Sequence, residues 1–185
     1  DDVMNTQRQT IYGQRQEILD GKDLSESLQT MLEETVRSNV THFLTGDSAD
    51  DWNFEGLRKH YMGWLTTPAD FQYTADQLSQ LETEDVVKIL TDRGKAILKN
   101  KEQRYTAPVM REFERICLLR NIDTKWMDHI DNMDQLRKGI YLRSYGQKDP
   151  VVEYRLEGFE MFDEMVDSIR EDTIHLLLAA ELRTR

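Results

Sequence analysis

Proline is scarce in this 185-residue chain, at 3, and glycine is modest, at 9, so little in the sequence interrupts a helix. The single cysteine, Cys117, excludes an internal disulfide. Set among the apolar neighbours of FERICLLR, it reads as a buried small hydrophobe in a reducing cytosol rather than a catalytic thiol. No apolar run reaches the roughly 18 residues that a membrane span needs, and no signal-peptide pattern is present. Positive charge is short as well. With 24 basic and 35 acidic residues the net charge is −11, which removes the basic footprint that nonspecific nucleic-acid binding requires.

Catalytic signatures are missing too. There is no GxxxxGK[ST] phosphate loop and no GxGxxG, so this stretch is not expected to bind ATP by those means. No CxxC or HExxH offers zinc ligands, and His42, His60, His129 and His175 are far apart. Asp128 and His129, with Asp131 and Asp134 nearby, make one conceivable acid/base or metal cluster, since a carboxylate can orient an imidazole. The outer face of an amphipathic helix produces such clusters routinely.

What is abundant is Leu, Met, Gln, Glu, Lys and Arg, whose straight side chains lose little freedom in a helix. The expected class is all-α. Met4, Ile11 and Ile18, with Val3, Tyr12 and Leu19 beside them, predict a helix over about 3–20, interrupted at Asp20-Gly21. Asp23 and Glu26 have the form of a capping box for a second stripe, Leu28 to Phe43, so two helices or one long helix kinked near Gly21 both fit. From Thr45 to about Pro68 the composition turns to Gly, Asp and aromatics, marking a second unit. There Asn53 is set to cap a helix over 54–65, Thr74 with Gln77 a short one, and Thr83 a helix over 84–104.

Pro108 suits a first helical turn, and Val109, Phe113, Ile116, Leu119, Ile122, Trp126, Ile130, Met133, Leu136 and Ile140 keep helical steps. They predict one helix of about 35 residues, about 50 Å long at 1.5 Å per residue. Asp149-Pro150 starts a returning helix to about Leu182, through Leu156, Phe159, Phe162, Val166, Ile169, Thr173 and Leu176. The pair predicts an antiparallel helical hairpin with Tyr145 in the loop LRSYGQKDP.

Charge is uneven along the chain. Residues 46–85 hold nine acids against Arg58 and Lys59, whereas 137–148 carry Arg137, Lys138, Arg143 and Lys148 with no acid. The chain opens DDVMN, already in helical register, and reads as a piece of something longer.

The run FERICLLRNIDTKWMDHIDNMDQLRKGIYLRSYGQKDPVVEYRLEGFEMFDEMVDSI, 113–169, closely resembles the two-helix finger of the bacterial SecA family, motors of protein secretion. DDVMNTQRQTIYGQRQEIL, 1–19, resembles the start of that family's helical scaffold, and about 46–107 occupies the place of its helical wing domain. The resemblance implies scaffold over 1–45, wing over 46–107, and finger with the remainder of the scaffold over 108–185. It further implies that Tyr145 is a fingertip contact for polypeptide, in a loop with Arg143, Ser144, Gly146, Gln147 and Lys148. The implied partners are preprotein, the SecY channel complex and the motor lobes in cis. A homodimer and an anionic membrane surface are admitted as further partners, and no nucleic acid is expected.

The family's finger region is also regarded as a regulator of ATPase activity, with ATP and magnesium bound in motor lobes that have no counterpart here. The resemblance therefore implies no cofactor and no catalysis in this stretch, and a place at the inner face of the bacterial cell membrane. From charge alone, Arg137 and Lys138 are candidates to approach a channel mouth or acidic head groups. Two other readings fit the residues: a freestanding helical adaptor that binds a partner helix in a groove, and a small helical enzyme built on Asp128 and His129.

Overall fold

The computed structural model describes residues 1–143 and 149–183, with only the backbone at Arg143. The described residues are all-α: seven α-helices, a 3-10 turn over Ala49–Asp51 and one isolated bridge, Met62 to Thr66. The helices are α1 (Asp2–Leu19), α2 (Ser25–Phe43), α3 (Phe54–His60), α4 (Ala75–Gln80), α5 (Thr83–Tyr105), α6 (Ala107–Arg143) and α7 (Pro150–Ala179).

Local chemistry sets most of these ends. After α1, the Gly21 N–H donates to the Ile18 carbonyl and the Lys22 N–H to that of Glu17, with Gly21 at φ 94. This is a Schellman cap, and a residue without Cβ enters it at no steric cost. Asn53 caps α3 through the Gly56 N–H at 2.9 Å. Thr74 and Gln77 bond reciprocally at the start of α4. Asp149 caps α7, its carboxylate accepting from the Val151 N–H at 2.9 Å.

Three ends differ from the sequence expectation. The cap of α5 is Glu82 rather than Thr83, and the Asp85 carboxylate accepts from the Glu82 N–H at 2.9 Å. Helix α3 stops at His60 because the Tyr61 carbonyl accepts the N–H groups of Leu65 and Thr66, each at 3.0 Å, closing a turn instead. Helix α7 stops at Ala179, where the Lys101 ammonium takes the carbonyls of Leu177 and Ala180. Only Thr106, at φ 82 and ψ 155, separates α5 from α6. Pro108 would clash with the carbonyl of Arg104 if α5 ran straight on, so the corner is kept despite an unfavourable backbone for a β-branched residue.

Compactness divides the chain into two units, one of residues 1–24 with 113–173 and one of 25–112 with 174–185. The second therefore takes in α2 and the last turns of α7 as well as the stretch from 46 to 107.

In the first unit α1 lies against α6 and α7. Ile11 and Ile18 are buried, and Arg15 reaches Asp123 at 2.8 Å. Asn121 bonds Thr173 at 2.9 Å and Lys125 pairs with Asp172 at 2.7 Å, while His129 meets Phe162 and Met133 lies at Gly158. Partner numbers fall on α7 as they rise on α6, so the two helices are antiparallel.

The buried stripe of α6 keeps Ile122, Trp126, Met133, Leu136 and Ile140 of the expected residues and that of α7 keeps Ile169 and Thr173, while the remaining positions move to neighbours. On α6 it is Met110, Cys117 and Leu118 that are buried, while Val109 and Ile116 are exposed. On α7 Met165, Ile169, Thr173, Ile174 and Leu177 are buried, while Leu156, Phe159, Val166 and Leu176 are exposed. Both helices carry apolar residues on two faces, and tertiary packing selects one of them.

The second unit closes around Leu32, Val36 and Val40 of α2, Leu57 of α3 and Val86, Val87 and Leu90 of α5, joined by Ile174 and Leu178. Its loop over 61–73 is fastened to α5 by a forked ion pair. Arg93 donates to both oxygens of Asp70 at 2.7 and 2.8 Å, and the Thr67 N–H adds a bond at 2.7 Å. The Arg93 hydrogen bonds first, then the Thr67 N–H, hold the Asp70 carboxyl well below its ordinary value, at about 2.

A lowered folded-state pKa means stability present above the unfolded value near 4 and lost as pH falls from there through about 2. Arg93 is partly exposed, so the contribution is about 1–2 kcal/mol after allowance for solvent screening. Asp70→Asn is expected to cost about that much at pH 7. Urea unfolding of the variant, followed from pH 5 to 2, should show a shallower loss of stability than the parent.

Candidate contact site where α6 ends and α7 begins

The segment that the resemblance singles out, Ser144, Tyr145, Gly146, Gln147 and Lys148 with the side chain of Arg143, lies outside the described residues. Its frame is described. Met133, Leu136 and Ile140 of α6 are buried together, with Val3 and Met4 of α1 and Tyr154 and Met161 of α7 packed against them. Asp149 fixes the start of α7 as given above.

Arg137 and Lys138 share one carboxylate, Asp134, at 2.8 and 3.0 Å. The Lys138 hydrogen bond first, then its charge, holds the Asp134 carboxyl below the usual carboxylate range. Two cations on one anion leave this turn net positive, and both long side chains remain mostly in solvent. A cleft of about 310 Å³ beside them is lined by Ile140, Tyr141, Val151, Tyr154 and Arg155 among others. Burial pushes the Tyr154 hydroxyl up, so it stays protonated through the neutral range.

The same end carries apolar surface, of which periodicity alone places Leu156 and Phe159 in a buried stripe. Leu142 is 83% exposed and Tyr141 65%, and Val151, Val152, Leu156 and Phe159 are exposed on the opening turns of α7. Such a surface, flanked by cations, can hold varied side chains by apolar contact without selecting one sequence. A sign of it was present in the sequence, because α7 has more apolar residues than a single buried stripe can use.

The Asp128 and His129 cluster does not assemble as an acid/base site. His129 is buried, with Nε2 2.6 Å from Oε1 of Gln7, while Asp128 and Asp131 are exposed. Among the described residues no three His, Cys, Asp or Glu side chains converge as metal ligands. Nor, among them, is any helix long and apolar enough to cross a membrane. Cys117 and Trp126 are core residues.

Comparison with known proteins gives one consistent result. The family described as the SecA Wing and Scaffold domain matches residues 1–181. The chain is 40% identical over 179 residues to the protein translocase subunit SecA of Acetivibrio thermocellus, covering 96% of the chain and 20% of that relative. It is 43% identical over 178 residues to that of Pelotomaculum thermopropionicum, again covering 96% and 20%. To that of Syntrophomonas wolfei it is 37% identical over 184 residues, covering 98% and 22%. The chain thus spans about a fifth of the length of the curated relatives it matches.

Proposed function

The chain belongs to the SecA wing and scaffold family, and from that premise we propose that it is the region through which a protein translocase touches the polypeptide it moves. In this reading residues 1–45 are scaffold, 46–107 wing, and 108–185 the finger with the rest of the scaffold. The loop at 143–148 presents Tyr145 to preprotein at the SecY channel. Catalysis belongs to motor lobes elsewhere in the full-length protein, where ATP and magnesium bind, and the finger region regulates their ATPase activity. The protein works at the inner face of the bacterial cell membrane, bound peripherally.

One observation supports this most: the exposed apolar residues Tyr141, Leu142, Val151 and Val152 sit on both sides of that loop, beside the cations Arg137 and Lys138. A tyrosine added to such a surface is a rigid amphipathic contact with few rotatable bonds, suited to a grip that tolerates many sequences.

The test is disulfide crosslinking in a full-length translocase that carries this segment, with Cys117→Ser and Tyr145→Cys, stalled on a substrate bearing single cysteines. Strong crosslinks to substrate and channel from position 145, fading when the probe is Glu164→Cys, are expected. Equal or absent crosslinking at the two positions would make the loop only a turn.

A further inference from the structure

The first unit contains a buried polar chain that the contact site does not use. Gln7 of α1 is buried between α6 and α7. Its Nε2 donates to the Gly158 carbonyl of α7 at 3.1 Å, and its Oε1 lies 2.6 Å from Nε2 of His129 on α6. An amide whose nitrogen is donating offers only its oxygen to the histidine, so His129 must carry its proton on Nε2 and donate. The Gly158 carbonyl lies inside α7, and Gln7 takes its second lone pair, which requires α1 to approach the α7 backbone closely. Position 158 permits that approach: a Cβ there would stand 2.9 Å from Cε of Met133 and 3.4 Å from Cγ1 of Val3.

We infer that His129, Gln7 and the Gly158 carbonyl form a proton-gated clasp that holds α1 on α6 and α7 when His129 is neutral and releases it when His129 takes up a proton. The inference concerns α1 and holds whatever the hairpin end contacts.

The groups around His129 explain the gating. From α1 it faces the neutral amide of Gln7, and Arg15 on that helix is engaged by Asp123. The aromatic neighbours Trp126 and Phe162 offer no hydrogen-bond acceptor to a second N–H. A solvent-reaching cleft of about 250 Å³ adjoins the ring, lined by Lys125 and Asp128 of α6 and Glu164 of α7 among others. Lys125 is paired with Asp172 at 2.7 Å, which leaves Asp128 and Glu164 as the anions an imidazolium would turn toward. Protonation leaves the Nε2–H to Gln7 in place but adds a buried charge and a second N–H. Hydrating that charge, or turning it to those carboxylates, takes the ring out of its place against Gln7 and so releases α1.

Burial holds the His129 pKa below the ordinary histidine value. The clasp's contribution is therefore complete above the unfolded value of about 6.5 and is lost as pH falls below it.

The test uses the 185-residue chain. Long-range proton–nitrogen NMR correlation at pH 7.5 is expected to show His129 as the Nε2–H tautomer. Hydrogen exchange, corrected for intrinsic rates, should show protection over 5–18 falling at least tenfold more between pH 7.5 and 5.5 than protection over 86–98 of α5. In His129→Gln, whose amide can still donate to Gln7, that extra fall should vanish. In Gln7→Glu, whose carboxylate holds an imidazolium, the sign should reverse, with α1 better protected at pH 5.5. An Nδ1–H tautomer would overturn the clasp, as would the same extra fall in the parent and in His129→Gln. Should His129→Gln not fold, a fall in Gln7→Glu equal to that of the parent overturns it just as well.

Discussion

Lys101→Met is expected to lower the stability of the second unit by about 3 kcal/mol, although it removes a lysine from a strongly charged run. Lys101 is only 1% exposed. Its ammonium donates to the Leu177 carbonyl at 3.0 Å and also to that of Ala180. These lie at the C-terminal end of α7, where carbonyls have no partner within the helix and the dipole is negative. Methionine keeps most of the apolar stem but no donor, so two acceptors lose their partner, at about 1–3 kcal/mol each before relaxation.

The substitution also removes a positive charge near Glu181, which bonds Arg104 at 3.1 Å and the Tyr105 hydroxyl at 2.5 Å. Urea unfolding should report the loss, and hydrogen exchange should place it in the last turn of α7. Lys99→Met, at an exposed position of the same helix, should stay within about 0.5 kcal/mol of the parent. Equal effects at the two positions would show that the buried ammonium contributes nothing specific.

Lys101 also marks where sequence reasoning reaches its end. In KNKEQR composition does not separate it from Lys99; periodicity puts it on the face of Leu90 and Gly94, but the carbonyls that hold its ammonium are more than 70 residues away. Gln7 is similar: its polar side chain reads as solvated, yet three residues after Met4 and four before Ile11 it lies on the apolar stripe of α1, between two other helices. Features fixed within four or five residues were legible. The Gly21 break, the Asn53 cap, the Thr74 and Gln77 box and the Asp149-Pro150 start are each set by local hydrogen bonding and φ preference. The phase of α6 was legible from Ile122 to Ile140, but not in its first turns nor over much of α7, since Val109 and Met110, or Val166 and Met165, are equally good apolar neighbours and only the partner decides between them. For the candidate site, Tyr145 came through family resemblance. The exposed apolar surface beside it became visible only once the buried faces were assigned.

The second large effect belongs to the crossing of α2 and α5. Leu32 is fully buried there. A Cβ placed on Gly94 would lie 2.7 and 2.8 Å from its two methyl carbons, closer than carbon atoms pack. Leu32→Ala is expected to cost about 3–4 kcal/mol, the transfer term of the lost side chain plus a cavity that α2 and α5 close only in part. Gly94→Ala gains up to about 1 kcal/mol of helix propensity, but a leucine with no exposed side to turn to must shift, so the net effect is a loss of about 1–2 kcal/mol.

Combined, the two changes should not add. With Leu32 shortened the new methyl enters the vacated space and the propensity gain survives, so the double variant should be no less stable than Leu32→Ala alone. A coupling of at least about 1–2 kcal/mol across the cycle, read from urea midpoints at constant m, is the expected result. Simple additivity would mean that α5 rides away from α2 to accept the methyl, and the glycine would then have no part in fixing how closely the two helices pack.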